Sequence, residues 1–306
     1  MGWKSQIEAA AGRTTGHLVK TPVLTVHGFG LPYPIEIKLE QMQHTGSFKA
    51  RGAFNTLLGT AVPGAGLVAA SGGNHGAAVA FAARALGHKA HIFVPKLAGA
   101  SKIDLIRDIG ADLSIVEGEY ANALQQAQDY EAASGAMQIH AYDAPGTVAG
   151  QGTLMREWEL QGLEADTVLI AVGGGGLIAG ALAWLGNTRK VVAIEPETSC
   201  ALHAALAAGR VVDVDVSGVA ANALGARRVG DICFGLAQEL DVQSVLVGDG
   251  AIEDAQRALW RDHRQLVEPA GATALAALMS GAYQPEPDEK VAVLVCGGNI
   301  APDPFL

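Results

Sequence analysis

Residues 44–52 read H-T-G-S-F-K-A-R-G, and they place one lysine, Lys49, behind small and hydroxyl residues and an aromatic, Phe48. A lysine becomes a nucleophile when burial or a neighbouring cation lowers its pKa from ~10.4, and its usual covalent product is a Schiff base with a carbonyl compound. The alternative is a solvated lysine that opens the helix AFNTLLG. A second stretch, S71-G-G-N-H75, lies between a strand pattern and a helix pattern. Its backbone N–H groups, with Ser71, Gly72, Asn74 and His75, suit a substrate carboxylate, or Ser71 or Asn74 acts as a plain N-cap. A third, Gly173, Gly174, Gly175, Gly176 and Leu177, strips side chains from a strand-to-helix turn so that successive N–H groups can curl around a phosphate. The fourth is C296-G-G-N299, directly after the run VAVLV. A thiol there is a buried small hydrophobe, or a weak hydrogen-bond partner for a ring nitrogen.

These loops need elements to hold them. Short β-branched runs alternate with alanine-rich amphipathic stretches: GLVAA, AHIFVP, DLSIVE, MQIHAYD, TVLIAV, VVAIEPE and KVAVLV, with helical patterns between them. The alternation predicts an α/β fold with parallel-rich sheets covered by helices. Ligands of such sheets bind at the carboxyl ends of the strands, where the glycine loops fall. At ~150 residues per domain, 306 residues make one large domain or two modest ones. The boundaries expected are 1–61 plus 144–306 for a large domain and 62–143 for a small mobile one.

Composition excludes several classes. The formal charge of −10 argues against nucleic acid or an anionic membrane as partner. Three cysteines without a C-x-x-C pair make a disulfide framework or structural zinc site unexpected. Residues 167–188 carry no charge and match the ~20 residues of a membrane span. Four successive glycines inside that run favour strand, loop and helix instead. The amino terminus, MGWKSQIEAAAG, is not a signal peptide, so a cytoplasmic location is expected.

A special lysine, a carboxylate loop, a phosphate loop and a polar strand end together match the parts of pyridoxal phosphate. A rival is the dinucleotide fingerprint G-x-G-x-x-A at Gly174, Gly176 and Ala179 with Glu195 downstream, which would mean a nicotinamide oxidoreductase. It leaves the other loops unexplained. A non-catalytic amino-acid sensor on the same fold is a third reading.

The chain resembles the serine/threonine dehydratase and serine racemase family, pyridoxal phosphate enzymes of fold type II similar to the tryptophan synthase β subunit. The resemblance runs from KTPVL at 20–24 to CGGNI at 296–300 and takes in KLEQMQHTGSFKARGA, SGGNHGAAVA, GQGT at 150–153, VGGGGLIAG, AIEPE and VEPAGATALAAL. It implies that Lys49 holds the cofactor and then moves protons, with Phe48 against the ring. Asn74 would bond the ring hydroxyl, Ser71 and its loop the substrate carboxylate, residues 173–177 the phosphate, and Cys296 the pyridine nitrogen. A neutral thiol there makes the ring a weaker electron sink and favours prompt loss of a β-leaving group.

Racemase-type members resemble S-S-G-N-H, whereas this chain has Gly72 at the second serine, so elimination is expected over racemisation. Ala50, where threonine and cysteine synthases of this fold have aspartate, points the same way. The resemblance thus implies an ammonia-lyase acting on L-threonine or L-serine, with 3-hydroxyaspartate or another specialised hydroxy amino acid as the alternative, because Ser217 and the stretch 217–228 depart from the family pattern. It also implies a homodimer. Glu195 matches a carboxylate that binds a cation in racemase-like members, but Ala201 stands where its acidic companion is expected, so a metal is doubtful. The chain ends at Leu306, where no regulatory domain is expected to follow.

Overall fold

The computed structural model describes residues 2–98, 100–118 and 120–300. Ten strands form two sheets: β1 (Val23–Val26), β2 (Ile35–Leu39), β3 (Leu67–Ala70), β4 (Ala90–Pro95), β5 (Asp112–Val116), β6 (Met137–Gln138), β7 (Thr167–Ala171), β8 (Lys190–Pro196), β9 (Gln243–Val247) and β10 (Val291–Val295). The six-stranded sheet runs β1-β2-β10-β7-β8-β9 and the four-stranded sheet β5-β4-β3-β6. Every pairing is parallel except β1 with β2. The fold is therefore the parallel-rich α/β architecture expected, with one antiparallel edge.

β7 and β10, at the centre of the six-stranded sheet, are apolar but for Thr167 because helices cover both faces. β7 and β10 are fully buried along their length, within the core shared by Trp158, Ile178, Leu259 and Leu275. The four-stranded sheet has its own core on each face. One of these takes in Ala50, Phe54 and Leu57 of the helix Lys49–Gly59, so the helix that begins at Lys49 joins the two halves.

Close helix packing explains GQGT. A Cβ on Gly150 would come within 2.6 Å of the Arg51 carbonyl oxygen, and one on Gly180 within 2.5 Å of the Gly152 nitrogen. The helices Lys49–Gly59, Pro145–Leu160 and Gly176–Leu185 thus approach backbone to backbone. The charge-free run 167–188 is strand, glycine turn and helix. Among the described residues no helix is long and apolar enough to cross a membrane.

Candidate active site

The loops sit at the carboxyl ends of strands from both sheets. Ser47 bridges to Gly297, and the Phe48 N–H donates to the Cys296 carbonyl at 3.3 Å, so the lysine loop runs along the end of β10. Lys49 opens its helix. Its Nζ donates to the Ala141 carbonyl at 2.8 Å and lies 5.1 Å from the Phe48 ring centroid. Burial of the amine lowers its pKa to about 8, against a smaller opposing pull from Cys296. A reactive amine needs this: a proton that leaves near neutral pH.

Cys296 is buried, and its Sγ–H donates to the Ala270 carbonyl at 3.4 Å. Burial, with the charge of Glu268, pushes the thiol well above its usual range, so it stays neutral. The Ser71 Oγ accepts the Gly73 N–H at 3.2 Å and shapes the turn into the helix Asn74–Ala85. The N–H groups of Gly72, Asn74 and His75 donate to none of the described residues. His75 donates from Nε2 to the Ile139 carbonyl at 2.9 Å, since a carbonyl only accepts. Burial, then the Lys49 charge, lowers its pKa to about 3, so it is neutral in the working range. Asn74 Nδ2 donates to Glu268 and its Oδ1 accepts from Asn299.

The glycine loop meets this cluster through residues 140–142. Next to the Ala141 carbonyl that holds Lys49, Tyr142 packs over the loop: a Cβ on Gly174 would overlap its ring, and one on Gly176 would come within 2.8 Å of its Cα. The Tyr142 hydroxyl donates to the Arg228 carbonyl at 3.2 Å. On the other side a Cβ on Gly173 would lie 2.8 Å from the Leu224 Cα, so the divergent stretch 217–228 packs directly against the loop. Gly175 takes φ 92°, which no β-carbon tolerates easily, and ends beside Cys233. None of the N–H groups from Gly173 to Ile178 donates to a described residue, and they open a helix.

Whether these residues fit pyridoxal phosphate can be judged on that donor set. A run of N–H groups at a helix start suits a phosphate, a low-pKa amine suits the aldehyde, and a neutral thiol suits an unprotonated ring nitrogen. They fit.

Glu195 lies elsewhere. It is fully buried, and its oxygens accept the N–H groups of Leu202 and His203, both at 2.8 Å, and the Ser244 hydroxyl at 3.3 Å. Burial outweighs those bonds and raises its pKa to about 7. The carboxylate thus caps the helix Ala201–Ala208. Among the described residues no three His, Cys, Asp or Glu side chains cluster as metal ligands. Sequence patterns alone assign no role to Glu268, Asn299 or Tyr142, although EP, CGGN and the HAYD run flag their neighbourhoods.

The fold and these loops define a pyridoxal phosphate enzyme of fold type II. Residues 14–297 match the family described as pyridoxal-phosphate dependent enzyme, and the chain belongs to it. Pyridoxal phosphate is accordingly its cofactor, and the G-x-G-x-x-A match falls within that family's sequence. The chain is 35% identical over 272 residues to the biosynthetic L-threonine dehydratase of Salmonella typhimurium, covering 87% of this chain and 53% of that enzyme. It therefore spans about half the length of that relative. Among solved structures it is similar to maize serine racemase (TM-score 0.91, 29% identity, 98% of this chain and 94% of that one). It is also similar to the threonine deaminase of T.th. (TM-score 0.90, 33% identity, 98% and 99%).

Proposed function

We propose that the protein is an ammonia-lyase that converts L-threonine or L-serine to a 2-oxo acid and ammonia by α,β-elimination. The observation that carries the reading is the Lys49 amine, with its pKa lowered to about 8 where the loops converge. The similarity to threonine dehydratases and a threonine deaminase supports the substrate class.

Held at Lys49, pyridoxal phosphate would supply an electron-withdrawing ring that makes the substrate α-proton acidic. Lys49 Nζ would accept that proton as an amine poised near neutrality. Ser71 and the N–H groups of Gly72, Asn74 and His75 orient the substrate carboxylate. Those of residues 173–177 would hold the phosphate, Phe48 would pack on the ring and Asn74 would donate to its oxygen. Cys296, a neutral thiol, would leave the ring nitrogen uncharged. The β-hydroxyl departs with a proton as water, and the released enamine takes water back to yield the 2-oxo acid and ammonia. Gly72 offers no group for returning a proton to the opposite face. Residues 62–143, which contain the four-stranded sheet, close over the substrate as a mobile domain and exclude water. A cytoplasmic homodimer without a required metal completes the proposal.

The test is release of 2-oxo acid and ammonia from a panel of L-serine, L-threonine, both D forms and 3-hydroxyaspartate, with chiral analysis of what remains. The reading expects L-threonine or L-serine to be consumed. Turnover of 3-hydroxyaspartate alone would place the substrate in the specialised class. Inversion without keto acid would contradict elimination, and serine binding without turnover would mark a sensor.

A further inference from the structure

Asparagine has two nearly isosteric ends, and only its partners decide which way the amide faces. Around Asn74 that decision is made by residues far apart in sequence. Asn299 Nδ2 donates to the Thr45 carbonyl at 2.7 Å and to Asn74 Oδ1 at 2.8 Å. A main-chain carbonyl only accepts, so Thr45 fixes the nitrogen of Asn299 toward itself, and both Nδ2 hydrogens are then used. Asn74 must meet Asn299 with its oxygen. Its Nδ2 then faces Glu268 Oε1, which accepts. The chain of bonds has one polarity from end to end.

The backbone makes room for it. A Cβ on Gly46, which has φ 74°, would lie 2.5 Å from Asn299 Oδ1. One on Gly297 would overlap Glu268 Oε1 and come within 3.2 Å of Asn74 Nδ2. Glu268 is 2% exposed and immediately precedes the helix Pro269–Met279. Fragments of three sequence motifs, around Thr45 and Gly46, around Glu268 and Pro269, and from Cys296 to Asn299, thus converge on a single amide. The second Nδ2 hydrogen of Asn74 has no acceptor among the hydrogen bonds of the described residues.

We propose that the Thr45 carbonyl, Asn299 and Glu268 are a polarity lock on Asn74, which keeps an N–H rather than the amide oxygen turned toward the cofactor's ring oxygen. Asn299 and Glu268 are positioning residues here. The inference rests on the pyridoxal phosphate reading and on the role proposed for Asn74. A donor stabilises negative charge on the ring oxygen, whereas a flipped amide would oppose it with a carbonyl dipole.

The test uses the holoenzyme and its N299D and E268Q variants, both close to isosteric. Cofactor absorbance is titrated with pH, and cofactor dissociation is followed by fluorescence. The carboxylate introduced by N299D cannot donate to Thr45 or Asn74, so that variant frees the amide to turn. Its dissociation constant is expected to rise about 10-fold, the worth of one hydrogen bond to a charged oxygen, and the chromophore titration to move with it. The amide oxygen introduced by E268Q can still accept from Asn74, so this variant is expected to change the constant by no more than about 3-fold. N299D titrating like wild type, or E268Q shifting as far as N299D, overturns the lock. Neutron diffraction of wild-type holoenzyme is independent of any variant: deuterium on the Asn74 atom facing Glu268 supports the lock, and its absence there overturns it. Wild type without a cofactor chromophore would instead remove the cofactor reading, a failure distinct from the lock's.

Discussion

Replacing Arg51 with methionine breaks the buried ion network behind the reactive lysine. Arg51 is two residues from Lys49, about 200° around the same helix, so it faces away from the site. It is 1% exposed. Its Nε and Nη2 donate to the two oxygens of Glu40 at 2.8 and 2.7 Å, and Nη1 and Nη2 both donate to Glu157 Oε2 at 3.1 Å. Glu40 is fully buried, and its other hydrogen-bond donor is the Thr21 hydroxyl at 2.5 Å. Lys38, also fully buried, bonds Glu157 and Gln161, each at 2.6 Å.

The R51M substitution keeps an apolar stem and strips Glu40 of its main counter-charge. Removing one partner of a buried pair costs about 3–5 kcal/mol, because the remaining charge is left uncompensated. The pH dependence fixes the mechanism. In wild type, burial would raise the Glu40 pKa, but Arg51 overrides it and holds the carboxyl below its usual value. Glu40 therefore contributes stability that is present above its unfolded pKa and is lost as pH falls. In R51M burial, the largest influence on Glu40, is opposed only by the Thr21 hydrogen bond and the Lys38 charge; the folded pKa then lies above the unfolded one, and stability falls as pH rises. The cost of the substitution should thus grow from about pH 4 to pH 7. Urea unfolding of the cofactor-free proteins at the two pH values measures it. A cost under about 1 kcal/mol at pH 7, or one that does not change with pH, refutes the argument.

Three further outcomes are expected. The cofactor-free enzyme should take up pyridoxal phosphate at a rate that rises with pH around a midpoint near 8, because only the neutral Lys49 amine reacts; a midpoint at the ordinary lysine value of ~10.4 would rule out the burial effect. In G72S the new Cβ would overlap that of Ala98 and lie 2.8 Å from Val94 Cγ1, so thermal unfolding should show a loss of about 1–3 kcal/mol, and chiral analysis should show no gain of racemisation. Glu195 has a folded pKa raised to about 7 by burial, so it withdraws stability as pH climbs from its unfolded value through that point; in denaturant titrations E195Q should gain on wild type over this window, and parallel pH profiles would refute the assignment.

The strands with short, largely apolar runs, β3, β4, β7, β8 and β10, are legible because parallel central strands are mostly apolar on both faces. β2 is not. Its IEIKL carries Lys38, whose charge reads as solvent-facing until Glu157 and Gln161, more than a hundred residues away, are seen to bury it. β9 escaped for a related reason: as an edge strand with Gln243 and Ser244 it lacks the apolar run. MQIHAYD forms only a two-residue strand, because His140 Nδ1 captures the N–H groups of Tyr142 and Asp143 and turns the chain toward Lys49. Within the site, motifs gave the loops but not their interlocking. Asn74 and Glu268 stand 194 positions apart, and no local pattern says that they meet. Glu195 also needs the fold: the resemblance matched it to a cation-binding carboxylate, and no local pattern says that its oxygens accept the N–H groups of Leu202 and His203.

The role of Lys49 is the claim on which the rest depends, and borohydride reduction of the holoenzyme followed by peptide mass mapping tests it most directly. The account predicts the reduced cofactor on the peptide that carries Lys49, and no labelled peptide in K49A. Stable label on any other lysine, or none in wild type, would contradict it.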